Sequence, residues 1–163
     1  MEPARATLVA VDFSSLTPLE GGWSGQTFLA EAAGERSVVR IYPPGVRGPG
    51  AAEIDAAVLR LVRGLVPVPE VLDVRPARPE SDQPGLLVTS FLPGVRGDQL
   101  LPTLDAAGLA GVGATLGGLV ADLGGMPMLR AGPFVDPELG IGDFGLDGLP
   151  EYVETRLPEL GHL

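Results

Sequence analysis

The 163-residue chain has no cysteine and a single histidine, His162. That excludes a disulfide framework, a Cys/His zinc cluster and a thiol nucleophile. Lysine is also absent: all 11 basic residues are arginine, against 21 acids, for a formal net charge of −10. Nucleic acid is therefore not the expected partner, because neutralising phosphates needs basic patches. A local anion site or a cationic substrate remains compatible with this balance. The N-terminus, Met1-Glu-Pro-Ala-Arg5, lacks a basic region followed by an apolar one, as a secretory signal requires. No apolar run is read as approaching the roughly 18 residues of a membrane span. The expectation is a cytoplasmic protein with no membrane partner. What the chain does have is a globular composition, 45% hydrophobic and 20% charged, and enough length for a core in one domain, or one and a fragment.

Local patterning predicts strands first and helices later. Phe13 to Leu19 leads in with an edge strand, and Gly21-Gly-Trp-Ser-Gly25 is a turn. Gln26 to Ala32 and Ser37 to Tyr42 are β-rich, separated by the turn Ala33-Gly-Glu-Arg36 and stopped by Pro43-Pro-Gly45. In the segment from Ala51 to Arg63, Ile54, Val58, Leu61 and Leu65 recur at helical spacing; Pro67 and Pro69 end that helix. Val71 to Val74 and Leu86 to Leu92 are further strands, the second closed by Pro93-Gly94. From Asp105 to Leu123 the period becomes helical, with Leu109, Val112, Leu116, Leu119 and Leu123 on one face. Each interior glycine there costs about 1 kcal/mol relative to alanine, so tertiary contacts must hold this helix or the glycines allow close backbone approach. After Gly125 the chain is Pro/Gly-rich up to a short helix at Leu149 to Leu157.

Arg40 lies between Val39 and Ile41 in a strand headed for a core. By alternation Val39 and Ile41 face one side, and Val38 and Arg40 the other. A guanidinium there suits a half-exposed strand face, or an anion, which it can contact with two parallel hydrogen bonds while staying charged. Gly21, Gly22 and Gly25 let backbone N–H groups approach phosphate oxygens with no Cβ in the way, or simply turn a hairpin. Glu53 stands near the positive end of its helix, which an acid stabilises.

In this order, the pieces Leu19-Glu-Gly-Gly-Trp-Ser-Gly25, Val38-Val-Arg-Ile41, Glu53 with its helix, Pro67-Val-Pro-Glu-Val-Leu72 and Leu86-Leu-Val-Thr-Ser-Phe-Leu-Pro-Gly94 resemble the phosphotransferase enzyme family, the aminoglycoside phosphotransferase and choline kinase-like group. The resemblance runs over roughly residues 13 to 160. It implies an α+β, protein-kinase-like fold: residues 1–94 form a small lobe of five mostly antiparallel strands and one helix, and residues 95–163 a linker and the first helices of an incomplete helical lobe. It implies ATP or GTP with Mg2+, and a small-molecule hydroxyl as phosphate acceptor. Gly21, Gly22, Trp23, Ser24 and Gly25 would cover the phosphates. Arg40, where many relatives have lysine, would contact the α- and β-phosphates with Glu53 as its partner. Val38 would lie against the adenine, and Ser90, Phe91 and Leu92 would form the hinge at its edge.

The same resemblance defines what is missing. The family's loop H-G-D-x-x-x-x-N, whose aspartate takes the substrate proton, does not occur in the sequence. Asp143-Phe144-Gly145 spells the metal-binding tripeptide of protein kinases, but no catalytic loop precedes it and no apolar strand leads into it. Where relatives often end the long helix with Leu-His, this chain has Leu123-Gly124. The expectation is a chain that stops before the catalytic half, as a truncated product or part of a split reading frame, with no catalytic residue or metal ligand of its own and weak or no turnover. The face from Leu109 to Leu123, left bare, would favour self-association.

Overall fold

A computed structural model describes residues 16–19, 26–32, 34–45, 47, 48, 50–143 and 149–156. Its centre is one sheet of five strands: β1 (Thr17–Leu19), β2 (Gln26–Ala32), β3 (Glu35–Tyr42), β4 (Val71–Arg75) and β5 (Gly85–Ser90), in the order β1-β2-β3-β5-β4. Every neighbouring pair is antiparallel. The first three strands form a meander, paired in chain order. Gly34, at φ +82°, takes the β2–β3 turn in a backbone region that other residues rarely adopt. β3 therefore begins at Glu35 rather than at Ser37. β5 stops at Ser90, so Phe91 and Leu92 belong to the connection and not to the strand.

The helix α1 (Ala51–Val62) crosses from β3 to β4 and covers one face of the sheet. Its buried residues are Ala51, Ala52, Ala56 and Val62. Three of these are alanines, so the helix lies close to the strands. At Gly85 of β5 an added Cβ would come within 3.3 Å of the Ala52 Cβ, tighter than most contacts tolerate. On this face Ala51, Ala52 and Ala56 pack with Tyr42 and Leu87, and Leu59, Val71 and Val74 fill in from the side. The opposite face has its own smaller cluster of Ala30, Val39, Leu86 and Val88, with Leu16 and Ile41 against it. Val39 is fully buried, and burying such a side chain contributes about 1.5–3 kcal/mol.

After β5 come a short helix α2 (Gly97–Leu100), a 3-10 turn at Leu101–Thr103 and the long helix α3 (Ala106–Gly124). Asp105 caps α3: its side chain accepts from the Gly108 N–H at 2.8 Å. No residue of α3 is buried, and Leu109, Leu116, Val120 and Leu123 are exposed. By length and composition alone α3 could cross a membrane, which the reading of the sequence did not anticipate. Asp122 is the one charge in it, and glycine and alanine fill the gaps between leucines.

The Pro/Gly-rich stretch is a built turn. Phe134 bridges Ile141, Gly142 N–H donates to the Pro133 carbonyl, and Asp136 accepts from Gly140 N–H at 2.8 Å. A final helix α4 spans Leu149–Arg156.

Candidate functional site

Arg40 lies on β3, the middle strand of five, opposite Thr27 of β2 and Leu87 of β5. Alternation puts Val38, Arg40 and Tyr42 on one face. Because Tyr42 packs with the alanines of α1, that face is the helix side of the sheet. A guanidinium aimed at the sheet–helix seam needs a carboxylate, since an unpaired charge is costly there. The described residues supply one: Asp55 of α1, whose Oδ2 lies 3.5 Å from Arg40 Nη1.

Asp55 Oδ2 also accepts from the Tyr42 hydroxyl at 2.6 Å and from Arg47 Nη1 at 2.7 Å. One carboxylate oxygen thus joins a strand cation, a strand phenol and a cation from the β3–α1 loop. Both cations lie near the Tyr42 ring, its centroid 5.3 Å from the Arg40 guanidinium carbon and 5.6 Å from that of Arg47. These distances are within cation–π range. Burial, and then the hydrogen bond to Asp55, push the Tyr42 phenol well above its ordinary range. The hydrogen bond to Asp55 raises Arg47 in the same way. The cluster is tied together without being sealed: 32% of each arginine side chain and 21% of the Asp55 side chain are exposed.

Glu53 is not the partner of Arg40. Among the described residues it joins no ion pair, and its Oε2 is buried without a hydrogen-bond partner. Helix geometry gives the reason. Two residues turn the helix by about 200°, so Glu53 and Asp55 point to different sides, and Asp55 shares the sheet-facing side with Ala52, Ala56 and Leu59. The pairing is also sound in reach, because the longer cation of arginine meets the shorter acid of aspartate.

The remaining expected site residues divide by place. Gly21, Gly22, Trp23, Ser24 and Gly25 lie outside the described residues. Val38 sits two positions before Arg40 on the same face, opposite Leu29 and Thr89. Ser90 is fixed at both ends: its N–H donates to the Glu70 carbonyl at 2.8 Å, and its Oγ accepts from the Glu70 N–H at 2.9 Å. The Arg36 guanidinium stacks over the Phe91 ring at 4.2 Å, and Leu92 is half exposed. Among the described residues no group of three or more His, Cys, Asp or Glu side chains is placed to hold a metal ion.

Sequence reasoning missed Asp55, Tyr42 and Arg47. The spacing of Asp55, Leu59 and Val62 along one helical stripe was the signal for the first. Tyr42, two residues beyond Arg40, followed from strand alternation. Arg47 sits in a loop, where no periodicity reports direction.

A five-stranded antiparallel sheet with one covering helix, a central basic strand residue held to a helix acid, and helices following is the small-lobe arrangement of kinase-like phosphotransferases. The sequence profile of the phosphotransferase enzyme family (APH) matches residues 15–158, and the chain belongs to that family. Solved structures similar to it include the apo form of a thermostable mutant of aminoglycoside phosphotransferase APH(4)-Ia. That structure has a TM-score of 0.56 and 19% identity, with 90% of this chain and 47% of that one covered. A ternary complex of a thermostable mutant of the same enzyme with AMP-PNP and hygromycin B matches at a TM-score of 0.55 and 18% identity, covering 91% and 47%. The chain thus spans about half the length of these enzymes. No curated protein matches it significantly.

Proposed function

We propose that this chain is the nucleotide-binding portion of a small-molecule phosphotransferase. Residues 1–94 form the nucleotide lobe and residues 95–163 lead into a helical lobe. The observation that carries this reading is Arg40, central in the sheet and held by Asp55 from α1. Such a cation can stabilise the α- and β-phosphates of ATP or GTP. Val38 lies against the base, Ser90, Phe91 and Leu92 along its edge, and Gly21 to Gly25 over the phosphates. The AMP-PNP complex of the similar enzyme supports a nucleotide ligand. The acceptor is a small-molecule hydroxyl in the whole enzyme. Mg2+ would accompany the nucleotide's phosphates in the whole enzyme.

The experiment is a thermal-shift titration with ATP and with GTP. A ligand that binds only the folded state raises its stability, by about 2.7 kcal/mol at 100 times Kd. Stabilisation by either nucleotide that Arg40→Gln removes supports the reading, and no shift at millimolar nucleotide sinks it.

The second reading is a kinase-like remnant that binds nucleotide or a partner without chemistry. The missing H-G-D-x-x-x-x-N loop favours it for this chain alone. We expect ATP consumption at background with aminoglycosides, choline-like amines and sugars. The exposed face of α3 favours self-association in the cytoplasm, read as a concentration-dependent shift in size-exclusion elution.

A further inference from the structure

We propose that Arg36 is a positioning residue of the base site, holding the segment from Ser90 to Leu92 in place through the Phe91 ring. The role rests on the nucleotide reading above. β3 and β5 pair as far as Ser37 and Ser90. In that register the next partners are Arg36 and Phe91. Arg36 is still within β3, opposite Glu31 of β2, whereas Phe91 lies beyond the end of β5. The strand ladder has ended there, yet the side chains carry it one step further. The Arg36 guanidinium carbon stands 4.2 Å from the centroid of the Phe91 ring, closer than either cation at Tyr42 and well inside cation–π range.

The other edge of the same segment is held as well. Ser90 is tied twice to Glu70, through its N–H and through its Oγ. The connection is thus fixed from β3 on one side and from the residue before β4 on the other. Packing adds little beyond that point, since Leu92 and Val95 are 51% and 66% exposed. These contacts use Ser90 and the Phe91 ring, and no backbone atom of Phe91 or Leu92, so they do not compete with a ligand for those atoms. Alternation puts Arg36, Val38 and Arg40 on one face. Arg36 and Arg40 are four residues apart, about 13 Å of strand, with Val38 midway. A base against Val38 then lies between the held segment and the Arg40 cation. A segment ordered before the ligand arrives does not charge its ordering entropy to binding.

The test is equilibrium binding of adenosine, ATP and inorganic tripolyphosphate to the unsubstituted chain, Arg36→Gln, Arg36→Lys, Phe91→Leu and the double variant Arg36→Gln/Phe91→Leu. An exposed cation–π contact predicts that Arg36→Gln weakens adenosine and ATP by the same factor, about two- to fivefold. Tripolyphosphate, which has no base, is expected to bind unchanged. Arg36→Lys keeps a cation over the ring and is expected to recover part of the loss. The double variant is expected to lose no more than the larger single loss, because both changes break one contact. Arg36 is exposed, so Arg36→Gln is expected to fold and decides the matter even if Phe91→Leu does not. Unchanged adenosine affinity in Arg36→Gln overturns the role. An equal loss for adenosine and tripolyphosphate overturns it too, because it marks general damage, and additive losses in the double variant show that the two residues act separately and overturn it as well. ATP binding by the unsubstituted chain leaves the nucleotide reading standing in all three cases. Failure of that chain to bind ATP overturns the nucleotide reading, and this role with it.

Discussion

Helices α1 and α3 make opposite use of their apolar residues. α1 has 12 residues and buries Ala51, Ala52, Ala56 and Val62 against the sheet. α3 has 19 residues, is richer in leucine and buries none. Apolar content therefore does not decide burial; a facing surface does. α1 follows three paired strands and is followed by two more, so the chain carries it across an apolar sheet face. α3 follows the last strand and meets no second layer among the described residues. The similar solved enzymes are about twice as long.

The largest test of this contrast sets one acid in each helix. Ala56 is fully buried beside Tyr42 and Leu87. Ala56→Glu places a charge where water cannot reach it, and is expected to cost more than about 4 kcal/mol and abolish cooperative unfolding. Val120 is 68% exposed. Val120→Glu is expected to change stability by less than about 0.5 kcal/mol and to reduce any self-association. Denaturant melts and size-exclusion elution measure both. A loss above about 1 kcal/mol in Val120→Glu would mean that α3 is covered after all.

Next in size is the Asp55 hub. Asp55→Ala leaves two guanidiniums facing each other and removes an acceptor from Tyr42. With Asp55 partly exposed, the full cost of breaking a buried pair does not apply, and about 2 kcal/mol is expected. Glu53→Ala is expected to cost less than about 0.5 kcal/mol, or to stabilise, since its buried Oε2 has no hydrogen-bond partner among the described residues. Reversal of that order would restore Glu53 as the structural acid.

Much of the fold was legible because its signals are local. β2, β3 and α1 are bounded by glycine turns and prolines, and alternation correctly set Arg40 apart from Val39. The site was less legible, because its chemistry depends on which way two acids project. Glu53 and Asp55 are both early in α1, and only the helical period separates them. Arg47 is fixed by a hydrogen bond across the β3–α1 loop, a tertiary fact without a pattern in the sequence. The end of β5 moved for a similar reason. Ser90 is tied to Glu70, so pairing stops there although Phe91 and Leu92 have strand-forming side chains.

Tyr42 gives a smaller and more specific effect. Its phenol is held above its ordinary value of 10.0 in the folded chain by burial and by Asp55. The folded state therefore keeps a proton that the unfolded chain gives up. This contribution is complete below about pH 10 and is lost as pH rises from there towards the folded value. Tyr42→Phe is expected to cost about 1.5 kcal/mol near neutrality, from the lost bond to a charged acceptor. It should also flatten the fall of the melting temperature between pH 9 and 11. An unchanged alkaline slope in Tyr42→Phe would separate the phenol from Asp55.

The smallest effect returns to α3. At Gly117 and Gly118 an added Cβ meets nothing within 4 Å. Close backbone approach is therefore not the reason for glycine within the described structure. Gly117→Ala and Gly118→Ala are each expected to favour the helix by about 0.5–1 kcal/mol, seen as slower amide exchange in α3 with no change in the sheet. If both instead lower helix protection or nucleotide-independent stability, a surface not among the described residues already lies against those glycines. The small residues would then be its imprint, and the bare appearance of α3 would end with them.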